Sequence, residues 1–264
     1  MSRAIKRGEA FVPEIELSVP EKVYGFLPVV APIALALAFI LIRLKFGQHA
    51  FLYDGALTML AFICYMSAAV LFVTNLFVKE KVLDRLGLLT VGLGYAFNFS
   101  GWMVRWIEAG DKEGWIDGKV WRYFPLDNLH ALTLGFCCGA ALATLIVIRK
   151  PKYRVLGALS LPIISVILAL AIFLGNDIHT LPPILDSYWR PIHVSIATIA
   201  YGVCLLSFGI AFAYLLKDGI RMDGIAIWAA LFGVLVFCTA GRFGIVTHAT
   251  YSASLVAGKE SLNI

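Results

Sequence analysis

The five histidines of this 264-residue chain, His49, His130, His179, His193 and His248, all fall outside or at the ends of apolar segments. Imidazole ligates haem iron and transition metals and exchanges protons near neutral pH, so these residues come first. His193 lies in the densest signal, Leu181 to Val194, which reads L-P-P-I-L-D-S-Y-W-R-P-I-H-V. Pro182 and Pro183 restrict the approach of the chain, and Pro191 suits the first turn of a helix. Trp189 and His193 are four residues apart and share a face if the helix reaches back that far. Below His193 on that face come Ala197, Ala200 or Tyr201, and Cys204, small enough in part to leave room for a planar macrocycle. His130 stands at the start of another helix, after F-P-L-D-N-L, and His248 just past the end of the last apolar segment. For each of these three the structural alternative is an interfacial imidazole bonded to a neighbouring loop. His49 and His179 read as loop residues without a special role. Arg242 lies inside an apolar segment, where a guanidinium is costly and is usually kept to pair with an anion or line a cavity. A haem propionate is one such anion; snorkelling to the headgroups is the alternative.

The elements that must position these residues are set by composition. The chain is 60% hydrophobic and 15% charged, with a mean hydropathy of +0.85, whereas a soluble domain carries about 25% charged residues. Seven apolar stretches reach the roughly 20 residues that a membrane helix needs. They lie near Gly25–Leu44, Ala56–Val78, Leu86–Val104, Leu129–Ile148, Val155–Gly175, Pro191–Leu216 and Gly224–Val246. The ten-residue alternation of a membrane barrel is absent. The expected fold is all-α: a polytopic transmembrane bundle of about seven spans. Residues 1–24 hold no apolar core, so they are expected to form a cytoplasmic segment and not a cleavable signal peptide. Residues 25–246 form the membrane domain and 247–264 an external tail.

Lys and Arg counts orient the bundle. The N-terminus and the second, fourth and sixth loops carry thirteen, the opposite side eight. The expected arrangement is therefore a cytoplasmic (inner) membrane protein with its N-terminus inside and its C-terminus outside. All five histidines then share the external, periplasmic or extracellular face. The net charge of +5 is absorbed by this asymmetry and needs no nucleic-acid partner. Two external loops are long, near 105–128 and 176–190. Five of the six tryptophans, residues 102, 106, 115, 121 and 189, are at or beyond that interface; Trp228 alone is on the inner side. An aromatic belt would populate both interfaces, so the one-sidedness points to a shelf for a flat ligand. The five cysteines form no C-x-x-C or C-x-x-C-H pattern and read as small packing residues. Gly87, Gly92 and Gly94, like Gly233, Gly241 and Gly244, are spaced for close helix packing. Nearly carboxylate-free spans argue against paired-carboxylate catalysis and proton pumping. A small-molecule transporter would need central polar residues, which are lacking.

The order Arg105-Trp106, then Phe124 to Leu129 (F-P-L-D-N-L), then the Leu181 to Val194 block resembles the CcsA/ResC family of system II cytochrome c biogenesis proteins, over about Ala56 to Leu216. The resemblance implies a helical membrane bundle that presents haem at its outer face to an apocytochrome. It also implies that His193 is an axial haem ligand. The departures are specific. His130-Ala131-Leu132 stands where the family reads Tyr-Glu-Ser, and the family's tryptophan-rich motif ending in Trp-Asp does not occur. A second alignment sets His248 and Tyr251 against the family's later external histidine region. The reading that follows is a protein binding non-covalent haem b between His193 and His248, with His130 in reserve, Trp189 stacking and Arg242 pairing with a propionate. It is expected to be no autonomous enzyme, at most part of a cytochrome c haem lyase or synthetase assembly. Its partners would be other membrane or c-type cytochrome subunits on the external face, together with the bilayer. The competing reading is a haem-binding or structural anchor subunit of a respiratory complex that passes electrons from quinone to an external cytochrome.

Overall fold

A computed structural model of the chain describes residues 25–47, 52–115, 118–174, 177–178, 186–218, 254–257 and 260–263. Six helices are found there: α1 (Leu27–Phe46), α2 (Asp54–Val78), α3 (Lys81–Glu113), α4 (Leu129–Ile148), α5 (Val155–Phe173) and α6 (Trp189–Asp218). Five of them, all but α3, are long and apolar enough to cross a membrane. The first six predicted spans thus each coincide with a helix. The seventh, the N-terminal segment, and the residues His49, His179, Arg242 and His248 lie outside the described residues. One antiparallel strand pair, β1 (Ser254–Ala257) and β2 (Glu260–Asn263), belongs to a separate unit, Tyr214–Ile264, with Ser254 opposite Asn263.

Within the bundle, α2, α3, α4 and α5 close a ring in which each helix touches the next, and α1 packs outside it on α3 and α4. Short connections impose this order. Lys79 and Glu80 are all that joins α2 to α3, and Lys79 turns the chain with φ 55° while its N–H bonds to the Asn75 carbonyl. A single 3-10 turn, Pro151–Tyr153, joins α4 to α5. At that end Asp84 binds Arg154 at 2.6 Å and accepts from Asn75 Nδ2 at 2.6 Å, which ties α2, α3 and α5 together.

The predicted loop 105–128 is in part a helix. With 33 residues, α3 is roughly 50 Å long, so its last nine residues project beyond the span expected to end at Val104. It tolerates Asn98, Ser100 and Arg105, all buried, because its neighbours are helices and not lipid. Tyr65 Oη accepts from Asn98 Nδ2 at 3.4 Å, and Ser100 Oγ donates to the Ala36 carbonyl at 3.2 Å. The expectation of close packing at Gly87, Gly92 and Gly94 is met. A Cβ there would stand 2.9 Å from Phe72, 2.9 Å from Pro32 and 2.7 Å from Tyr65. Helix α6 crosses α4 in the same way: a Cβ on Gly202 would meet the α4 backbone at Ala140 N, at Phe136 O (2.7 Å) and at Gly139 C (2.8 Å). That crossing holds α6, and with it His193, against the ring.

Candidate functional site

The histidine end of the bundle is built on the chain between α3 and α4. Gly114 ends α3 in the left-handed region at φ 77°. A 3-10 turn follows at Val120–Tyr123, and Asn128 caps α4 by accepting the Ala131 N–H at 2.8 Å. Indoles hold this segment to the end of α3. Trp102 donates to the Pro125 carbonyl at 3.0 Å and Trp106 to the Val120 carbonyl at 2.9 Å. Both rings pack edge-on against Phe124. Trp115 donates to Asp111 and stands edge-on to Tyr123. The expected shelf of five indoles is therefore narrower: Trp121 and Trp189 are exposed, and the other three join the segment to α3.

Charge then ties α6 to that platform. Arg190 is buried, and its Nη2 donates to the Arg122 carbonyl at 2.7 Å and to the Trp121 carbonyl at 3.4 Å. Arg122 binds Asp186 at 3.0 Å. Three donors converge on residues 177–178. Arg105 Nη2 and Asn128 Nδ2 reach the Asp177 carbonyl at 2.9 and 3.1 Å, and Lys112 reaches the Ile178 carbonyl at 2.8 Å. Beneath them Arg105 and Asp54 form an ion pair at 2.7 Å with side chains 1% and 4% exposed. Sequence reading missed Arg190 and the Arg105–Asp54 pair. The one available signal was their place at span ends, where a charge survives only if it is paired.

Trp189 and His193 do share a face, because α6 begins at Trp189. Pro191 falls in its first turn, where the missing N–H is not needed. Both side chains are exposed, and Tyr188 tilts against Trp189 with centroids 5.6 Å apart. Below His193 on that stripe, Ala197 and Tyr201 line an apolar groove of about 500 Å³ with Val194 from α6, Leu132 and Phe136 from α4 and Ile167 from α5. Cys204, one turn farther down, is exposed.

His130 faces elsewhere. It is buried in the first turn of α4, with Nδ1 2.8 Å from the Ala171 carbonyl of α5. A carbonyl only accepts, so Nδ1 carries the proton and Nε2 keeps its lone pair. Nε2 is buried with no partner among the described residues. His130 is thus directed at α5 and not at the groove under His193. No group of three His, Cys, Asp or Glu side chains able to hold a metal ion occurs among the described residues.

A bundle with five membrane-length apolar helices is a polytopic membrane protein. Its relatives narrow the class: residues 126–243 match the family described as Cytochrome C assembly protein, and the chain is similar in part to CcsA cytochrome c biogenesis proteins. It is 35% identical over 88 residues to the cytochrome c biogenesis protein CcsA of Porphyra purpurea, which covers 32% of this chain and 28% of the relative. With the CcsA of Gloeothece citriformis it shares 30% identity over 115 residues, 42% of this chain and 31% of the relative. With that of Trichormus variabilis it shares 29% over 127 residues, 46% and 33%. The matches thus span about a third or less of these relatives. The family match takes in His130, His193 and Arg242, stops short of His248, and starts after Arg105-Trp106. No solved structure gives a significant match.

Proposed function

We propose that this chain binds non-covalent haem b at the histidine end of its bundle and presents it during cytochrome c biogenesis. The observation that carries the reading is the stripe Trp189–His193–Ala197–Tyr201, an exposed imidazole set directly above an apolar groove. A groove of about 500 Å³ lies within the range of small-molecule and cofactor sites. Its walls are apolar, and His193 stands one helical turn before Ala197 of its lining. Relationship to the cytochrome c assembly proteins supports the same assignment. When bound, haem supplies the iron porphyrin that a maturing cytochrome receives. The chain's own residues hold and orient it. His193 would ligate the iron, Trp189 would stack against the ring, and Arg242 would pair with a propionate. His248 is the preferred second ligand. His130 remains the reserve, its Nε2 without a partner among the described residues, but its contact with Ala171 turns it to α5 and away from this groove.

The histidine end faces the periplasm or exterior from the cytoplasmic membrane, and partner membrane or c-type cytochrome subunits dock there. The chain acts within such an assembly and not as an autonomous synthetase: thioether formation needs haem held in fixed orientation against two thiols, and among the described residues the exposed indoles are Trp121 and Trp189. The test is the visible spectrum of the purified protein. Wild type should show a low-spin haem b Soret band, and His193→Ala should remove or shift it while the protein stays in the membrane. A wild type without haem, or an unchanged spectrum in the variant, would overturn the assignment.

A further inference from the structure

We propose that the end of the bundle remote from His130 and His193 holds a binding site for the phosphate group of an anionic ligand. It is formed where the end of α2, the start of α3 and the start of α5 meet. A cavity of about 250 Å³ opens there, lined by Lys79, Lys152 and Arg154 together with Asn75 and Asp84. Small-molecule sites run from roughly 300 to 1,000 Å³, so this one suits a headgroup and not a whole lipid. The site is independent of the haem reading, since it lies at the opposite ends of α2 and α4 from Asp54 and His130.

The charges lining the cavity do not balance. Arg154 Nη1 binds Asp84 at 2.6 Å, and Asp84 also accepts from Asn75 Nδ2 at 2.6 Å. One guanidinium is thereby matched by one carboxylate. Lys79 and Lys152 form no ion pair among the described residues. Two ammonium groups are left over at one cavity. Lys79 is held there at a conformational cost, because its φ of 55° lies in the left-handed region that favours glycine.

Two further groups lack a partner. Arg154 Nε and Asn75 Oδ1 are buried with none among the described residues. Phosphate oxygens are acceptors for the first, and a headgroup hydroxyl is a donor for the second. Helix α5 adds its positive end. Val155, its first residue, lines the cavity, and the helix has neither a side-chain cap nor an acidic residue in its first turn. Aligned peptide dipoles and unbonded N–H groups at such a start favour an anion. Phe72, Leu76 and Val155 supply an apolar part of the lining, and the last two are exposed. Cations beside exposed apolar side chains suit a phospholipid, whose phosphate is joined to a glycerol and its acyl chains. Free phosphate matches the charged part alone.

The test is native mass spectrometry of the full chain released from detergent micelles. Phosphatidylglycerol, phosphatidylcholine and inorganic phosphate are added in turn. Wild type should retain one phosphatidylglycerol in preference to the zwitterionic lipid. A phosphate adduct with no lipid preference would assign the site to the free anion. Lys79→Gly with Lys152→Gln removes both unpaired cations and should weaken retention about tenfold or more. Glycine accepts the turn at 79, and Arg154 and Asp84 are untouched. Lys81→Gln with Lys150→Gln removes the same charge from the same end, outside the cavity, and should bind as wild type does. Retention of neither probe in preference to phosphatidylcholine, or an equal loss in the two double variants, overturns the site. Should the first double variant fail to insert, Lys152→Gln alone decides: a loss of about fivefold supports the site, and unchanged retention refutes it.

Discussion

Arg105→Met removes a guanidinium that is 1% exposed, 2.7 Å from an Asp54 carboxylate that is 4% exposed. Methionine fills much of the volume, so cavity formation contributes little. Two losses remain. Breaking a buried ion pair by removing one partner costs about 3–5 kcal/mol, mostly because the other charge is left without compensation. The charge-assisted bond to the Asp177 carbonyl contributes about 1.5–3 kcal/mol. The stranded Asp54 sits beside Glu108, so the first loss should dominate. The second variant, Asp54→Asn with Arg105→Met, separates them. Without the stranded charge it should regain about half of the lost stability or more, leaving mainly the Asp177 term. Unfolding by denaturant in mixed micelles, followed by tryptophan fluorescence, measures both. A single variant within about 1 kcal/mol of wild type would show that the pair is not structural. A double variant no better than the single would assign the loss to the Asp177 contact.

Gly202→Ile should destabilise by about 1–3 kcal/mol or more, because the atoms in its way are α4 backbone. Gly209→Ala, whose nearest neighbour is Leu159 at 3.5 Å, should be near neutral in the same melt. Asn128→Ala removes both the cap on Ala131 and the bond to Asp177 and should cost about 1 kcal/mol, with faster hydrogen exchange in the first turn of α4. Reporter fusions at Lys150 and Lys259 should fall in opposite compartments, cytoplasmic and external; both on one side would overturn the expected orientation.

The helices were legible because hydropathy over twenty residues reflects a demand that only a helix meets in lipid, where backbone groups have no water to bind. Leu129–Ile148 is the same in both readings. The exception, α3, shows the limit of that signal. Its nine-residue projection, 105–113, is polar and reads as loop, yet it is helical because Asp54, Arg43 and the Trp-held segment surround it. Likewise, five interfacial tryptophans were visible in the sequence, but Trp102 and Trp106 of α3 bind backbone of the segment after it and Trp115 binds Asp111 of α3, so these three present no shelf.

By itself the sequence determined the membrane class, the positions of the first six spans, and the stripe that places Trp189 above His193. Each depends on composition or on the 3.6-residue period within one element. Only the tertiary structure decided that His130 turns towards Ala171 and away from the His193 groove. It alone paired Arg105 with Asp54 across 51 positions and set Arg190 on the Arg122 carbonyl. The period fixes neighbours along a helix, whereas the rotation of one helix against another is set where backbones meet, as at Gly139 and Gly202.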